Sequence, residues 1–181
     1  FVAIRRVPVA EAWGLWDKSF RELFFRVSIL LGMALPVVWL VNVVSQWGMQ
    51  LVFGKEKEQA MVRLFRDAAD TGDWRMVAAI FVSAIVIAPV VEEVLFRGYF
   101  YPALKRYMPH GSWLPGIITS GLFAVSHANL LVMLGLWSLS QFFIVAYERY
   151  GTLWVPIGMH SLFNGISLAL IYLNTRGIWQ S

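Results

Sequence analysis

Three long uncharged runs limit what this chain can fold into more than any other feature. Residues 27–54, 107–147 and 150–175 contain no Asp, Glu, Lys or Arg. A bilayer core takes about 20 helical residues to cross, so each run is long enough to span it. A soluble domain that is 59% hydrophobic over 181 residues would expose too much apolar surface to stay dispersed. The fold class is therefore all-α: an integral, multi-pass membrane helix bundle.

Spacing and punctuation divide the chain further. Residues 9–27 place Trp13, Trp16, Phe20, Leu23, Phe24 and Val27 at three- and four-residue steps among Lys18, Arg21 and Arg26, which predicts an interfacial amphipathic helix at the N-terminus. Span one covers 27–53, mildly broken at Pro36. Residues 54–75 alternate charges around Met61, Leu64 and Phe65, a short aqueous helix ending at Gly72. Span two runs from Met76 to Leu104. The run 107–147 is too long for one crossing and too short for three, so it reads as two helices, 113–128 and 130–147, turning near Asn129. A last span covers Thr152 to Leu173. That makes about five transmembrane helices in a single membrane domain: 1–26 interfacial, 27–75 first span and linker, 76–173 the main helix bundle.

Counting Lys and Arg on alternate sides assigns eight to the N-terminal side and six to the other, which predicts a cytoplasmic N-terminus. The chain begins at Phe1 without a signal-peptide pattern and reads as a portion of something longer. It has no cysteine, which removes disulfides, thiolate catalysis and cysteine-bound metals. Net charge +4 with nine Trp fits basic flanks and interfacial aromatics, and the scattered basic residues form no nucleic-acid stripe. Membrane lipid is the expected surrounding partner.

Against that apolar background the segment Glu92-Glu93-Val94-Leu95-Phe96-Arg97 stands out. After Asp73 the acidic residues are Glu92, Glu93 and Glu148 alone. Ionisable groups at membrane depth are costly and mark function. Glu93 and Arg97 are four apart on one helical face and can pair, while Glu92 is rotated about 100° away and is left available. A structural reading, in which both glutamates simply tie helices together, competes with this.

Of the three histidines, His110 lies in a Pro-Gly loop and reads as solvated. His127 closes an apolar run, and His160 lies one turn into the last span with Asn164 one turn beyond it. At about 1.5 Å per residue, Glu92 lies roughly 20 Å, His127 roughly 21 Å and His160 roughly 12 Å from helix ends on the same side, so the three share a central slab. A carboxylate in apolar surroundings is a stronger general base than an exposed one. An Asn donor in a dry site can hold an oxyanion. The same Glu92, His127 and His160 set could instead hold a divalent metal such as zinc. Spacing alone does not separate the two.

Three ordered motifs, Glu92-Glu93-Val-Leu-Phe-Arg97, Phe123-Ala-Val-Ser-His127 and His160-Ser-Leu-Phe-Asn164, resemble those of the CAAX protease and bacteriocin-processing (CPBP/Abi) intramembrane proteases, which include the type II CAAX prenyl endopeptidases. The resemblance covers residues 76–173. It implies a helical bundle with a conical cavity open to the cytosolic side, Glu92 as the catalytic glutamate, and His127, His160 and Asn164 as water-positioning and oxyanion groups. Glu93 and Arg97 support them. The substrate class it implies is a lipidated protein C-terminus or a hydrophobic peptide. Glutamate-activated water without a resident cofactor is the mechanism adopted. A non-catalytic immunity or scaffold protein of the same fold, and a proton-coupled transporter using the same polar groups, are the alternatives.

Overall fold

The computed structural model describes residues 19–53 and 60–175. Among them are six helices and no strand: α1 Phe20–Phe53, α2 Ala60–Thr71, α3 Trp74–Tyr107, α4 Leu114–Ser126, α5 Leu130–Tyr150 and α6 Trp154–Thr175. Four of them, α1, α3, α5 and α6, are long and apolar enough to cross a membrane. This corrects the expected five. Helix α4 has 13 residues, about 20 Å of rise, short of a hydrocarbon core of about 30 Å.

The first span also differs from expectation. Pro36 lies inside an unbroken α1, and residues 20–27 form its opening turns rather than a separate interfacial helix. The earlier part of that predicted helix, residues 9–18, lies outside the described residues. The aqueous helix is found as α2, and Gly72 follows it at φ +74°, a conformation glycine adopts without a Cβ penalty. Asp73 then caps α3, its carboxylate accepting from Met76 N–H at 3.1 Å.

Helix α3 is not uniformly wound. Residues 83–87 and 94–100 are π-helical, on either side of the α-helical stretch 88–93 that carries the two glutamates. Each π stretch is followed one residue later by a proline, in Ala88-Pro89 and Tyr101-Pro102. A proline ring clashes with the carbonyl four residues back and donates nothing, and widening the turn relieves the clash. The ladder shifts accordingly: Ala88 N–H donates to Ser83 O and Tyr101 N–H to Phe96 O, five residues back.

The core runs where α1 meets α5 and α6. Val27, Leu31, Ala34 and Val38 repeat at steps of four and three along α1 and pack with Leu139, Phe143 and Ala146 of α5 and with Val155 and Met159 of α6. In lipid, close approach rather than water exclusion favours such contacts. A Cβ on Gly135 would stand 1.9 Å from the Asn42 side chain, and one on Gly158 would stand 2.8 Å from Val27. Outward, α1 presents Trp39, Leu40, Val44 and Trp47 as exposed apolar groups, a surface suited to acyl chains.

One end of the bundle is held by polar contacts. Arg26 pairs with Glu22 and lies 4.6 Å over the Tyr150 ring, and Lys105 meets Glu148. The start of α1 and the ends of α3 and α5 therefore share one end.

Candidate active site

Glu93 and Arg97 are fully buried, at 0% side-chain exposure each. Arg97 Nη1 donates to Glu93 Oε1 at 3.0 Å, as the four-residue spacing predicts. Its Nη2 donates to the Ser140 carbonyl at 3.1 Å and to Ser140 Oγ, which in turn donates to Ser120 Oγ at 2.9 Å. The guanidinium carbon lies 4.8 Å from the centre of the Phe123 ring and 5.1 Å from that of Phe143. A cation at this depth needs such a set of acceptors and ring faces, because a buried charge without partners is strongly unfavourable.

Glu93 does more than the spacing indicated. The same Oε1 lies 3.0 Å from His160 Nδ1. The pairing with Arg97 is as expected, and the carboxylate also orients an imidazole. A carboxylate only accepts, so His160 Nδ1 is the donor. His127 Nδ1 lies 2.8 Å from the Phe123 carbonyl, also an acceptor only, so it too donates through Nδ1. In the neutral tautomer both imidazoles then carry a lone pair on Nε2.

The two Nε2 atoms face one oxygen. Glu92 Oε2 lies 3.9 Å from His127 Nε2 and 3.9 Å from His160 Nε2. That oxygen is buried and makes no hydrogen bond within the protein. Two gaps of this width around one acceptor suit a bridging water better than direct contact. Exposure differs across the group: the side chains of Glu92 and His127 are 28% and 27% exposed, and that of His160 is 4%. A solute therefore meets Glu92 and His127 first, while His160 is sealed behind them between Phe143, stacked at 5.2 Å, and the edge of Phe123 at 5.7 Å.

Local structure accounts for these placements. His127 sits at the C-terminus of α4, which stops because Ala128 takes φ +49° and Asn129 begins α5, its Oδ1 accepting from Leu131 and Val132 N–H. The short helix thus delivers His127 to the depth of Glu92. Asn164 is placed differently from a group aimed only at substrate: its Nδ2 donates to the Ala84 carbonyl of α3 at 2.8 Å. His110 is exposed in the loop between α3 and α4, as expected. Spacing did not indicate Ser120 and Ser140 as partners of Arg97, because single serines in apolar helices carry no distinguishing pattern.

Tetrahedral zinc with bonds of about 2.0–2.1 Å keeps its donors about 3.4 Å apart, closer than the 3.9 Å spacings here. Among the described residues no group of three His, Asp or Glu side chains has a metal-holding arrangement. As placed, the three side chains do not fit zinc.

Residues 74–166, just over half of the chain, match the family described as type II CAAX prenyl endopeptidase Rce1-like. The chain belongs to this family. All the motif residues and both π-helical stretches lie within the match. Among curated relatives it is 27% identical over 113 residues to "Putative membrane peptidase YdiL" of Bacillus subtilis (strain 168), covering 62% of this chain and 43% of that protein. It is 32% identical over 106 residues to an uncharacterized 24.3 kDa protein of Escherichia coli, covering 57% and 47%. It is 30% identical over 91 residues to the UPF0177 protein YbdI of Lactococcus lactis subsp. lactis (strain IL1403), covering 47% and 45%. The chain spans less than half the length of these relatives. No solved structure gives a significant match. Family membership and four apolar helices make this an integral membrane protein.

Proposed function

We propose that this chain carries the catalytic bundle of an intramembrane endopeptidase that hydrolyses a peptide bond by glutamate-activated water, in a lipidated protein C-terminus or a hydrophobic peptide presented at the bilayer. One observation carries the reading: Glu92 Oε2, buried and without a protein partner, faces the Nε2 atoms of both His127 and His160 at 3.9 Å. A water there donates one hydrogen bond to Glu92 and the other to His127. Its free lone pair is left for a carbonyl carbon.

Glu92 takes the proton as the water oxygen bonds to the carbonyl carbon, and gives it to the departing amine as the carbon–nitrogen bond breaks. The negative oxygen of the intermediate is assigned to the α6 side, to the second amide hydrogen of Asn164, the first being held by Ala84 O. Glu93 and Arg97 keep His160 fixed while charge moves. No step uses a resident metal.

The end of the bundle that carries Arg21, Arg26, Lys105, Arg106 and Arg149 is assigned to the cytoplasm, against Arg63, Arg66 and Arg75 at the other. Single cysteines introduced at each end of this cysteine-free chain, tested with an impermeant thiol reagent, check the assignment.

The activity is tested by incubating purified protein with an internally quenched lipopeptide library. Cleavage by the wild type and none by Glu92→Gln supports the reading. Equal cleavage by both, or retention of the peptides without cleavage, replaces it with a different base or with a non-catalytic binding protein.

A further inference from the structure

We propose that Asn164 is also a positioning residue: its side-chain amide replaces the hydrogen-bond donor that Pro89 lacks, and so keeps α3 and α6 in the register that brings Glu92 to His160. The catalytic consequence rests on the peptidase reading above. The structural part rests on geometry alone.

The argument begins with the π-helical turn at 83–87. In a regular α-helix the Ala84 carbonyl would accept from Ala88 N–H. Here Ala88 N–H donates instead to Ser83 O, five residues back. In that widened register the donor due to Ala84 O is the amide of residue 89, which is proline and has no N–H. A carbonyl left unpaired at membrane depth costs free energy comparable to a lost hydrogen bond. The donor comes from 80 residues away, where Asn164 Nδ2 reaches Ala84 O at 2.8 Å.

The position of this bond makes it consequential. Asn164 lies one helical turn beyond His160 on α6, and Ala84 lies two turns before Glu92 on α3. The bond therefore fixes the axial offset of the two helices one turn along α6 and two turns along α3 from where Glu92 and His160 face each other at 3.9 Å. Gly165 next to Asn164 assists: a Cβ there would already touch the end of Ile85 at 3.5 Å, so the two helices are close at this level. Removing the amide leaves Ala84 O unpaired and frees α6 to slide.

A double-mutant cycle on the full chain in detergent tests this, using Asn164→Ala, Pro89→Ala and the two combined. An alanine at 89 restores the amide hydrogen that Ala84 O is missing, so it makes the Asn164 donor redundant. Expected is an acceleration of hydrogen exchange across residues 83–88 by about tenfold in Asn164→Ala, a loss of kcat/KM on a quenched lipopeptide, and a displaced pH profile of kcat/KM. In the Pro89→Ala background the exchange change shrinks to within about threefold and the kcat/KM loss becomes smaller, keeping only the part that comes from the oxyanion contact, since the coupling of neighbouring sites appears as such non-additivity. Equal losses in both backgrounds overturn the proposal and leave Asn164 acting on the substrate alone. If the wild type cleaves nothing offered, the peptidase reading fails, and exchange across 83–88 still decides the positioning role: unchanged exchange in Asn164→Ala overturns it. If Pro89→Ala does not fold, Asn164→Leu takes its place, because leucine keeps the volume without the donor. Exchange as fast as in the alanine variant supports the proposal, and exchange at the wild-type rate overturns it.

Discussion

His160 Nδ1 meets Glu93 Oε1 at 3.0 Å across 67 residues of sequence. This contact orients the imidazole so that its other nitrogen faces Glu92, and it links the site to the buried Arg97. The adjacent glutamates thus divide the work: one carboxylate holds the scaffold of the site and its neighbour faces the solute.

Glu92→Gln is expected to lower hydrolysis by at least about a hundredfold, the usual effect of losing a general base, while the protein stays folded in detergent. The amide keeps the shape of the side chain, and Glu92 has no ion pair closer than 3.9 Å to lose. Activity assays paired with size-exclusion profiles check it. Full activity in this variant would remove Glu92 from the mechanism.

Glu93→Gln and Arg97→Ala are expected to behave differently, with lower yield and a lower unfolding temperature as well as lower activity. Each leaves a charge buried at 0% exposure without its partner, a change that costs about 3–5 kcal/mol. Thermal unfolding in detergent separates these variants from Glu92→Gln. Wild-type stability in both would show that the pair contributes nothing to the fold.

Gly135→Ala should destabilise by about 1–3 kcal/mol, the range for overpacking, because its Cβ would stand 1.9 Å from Asn42 Oδ1. Asn42→Ala in the same chain should recover much of the loss. Independent, additive effects on the unfolding midpoint would contradict the close approach of α1 and α5 at this point.

Hydrolysis is expected to survive a strong chelator, and elemental analysis of the purified protein to show no stoichiometric zinc. The basis is the 3.9 Å that separates Glu92 Oε2 from each of the two Nε2 atoms. Glu93 orients His160 in the way carboxylates orient metal-bound imidazoles, so the experiment carries weight. Stoichiometric zinc, with activity lost to the chelator and restored by adding zinc back, would make Glu92, His127 and His160 ligands.

The sequence made some of this legible and hid the rest for physical reasons. The Glu93–Arg97 pair follows from a four-residue step, and the meeting of Glu92, His127 and His160 follows from rise per residue measured from helix ends. The π-helical turns did not show, because periodicity assumes one twist throughout, and Pro89 and Pro102 are their only marks in the sequence. The same blind spot hid the Asn164–Ala84 bond, since no carbonyl is orphaned in a uniform helix. The turn after α4 was legible, since Asn129 does open α5, but counting 113–128 as a crossing took the absence of charge for sufficient length. The double engagement of Glu93 was missed because pairing rules treat a carboxylate as satisfied by one cation.

The buried polar groups of α3 also bear on how the protein is made. Arg97 relies on Ser140, 43 residues later, and Glu93 on His160, 67 residues later. Chain elongation of about 5–20 residues per second puts α6 several seconds behind α3. During that interval α3 has only its internal ion pair to shield two charges from lipid. Its final seating is therefore expected to wait for the arrival of α5 and α6.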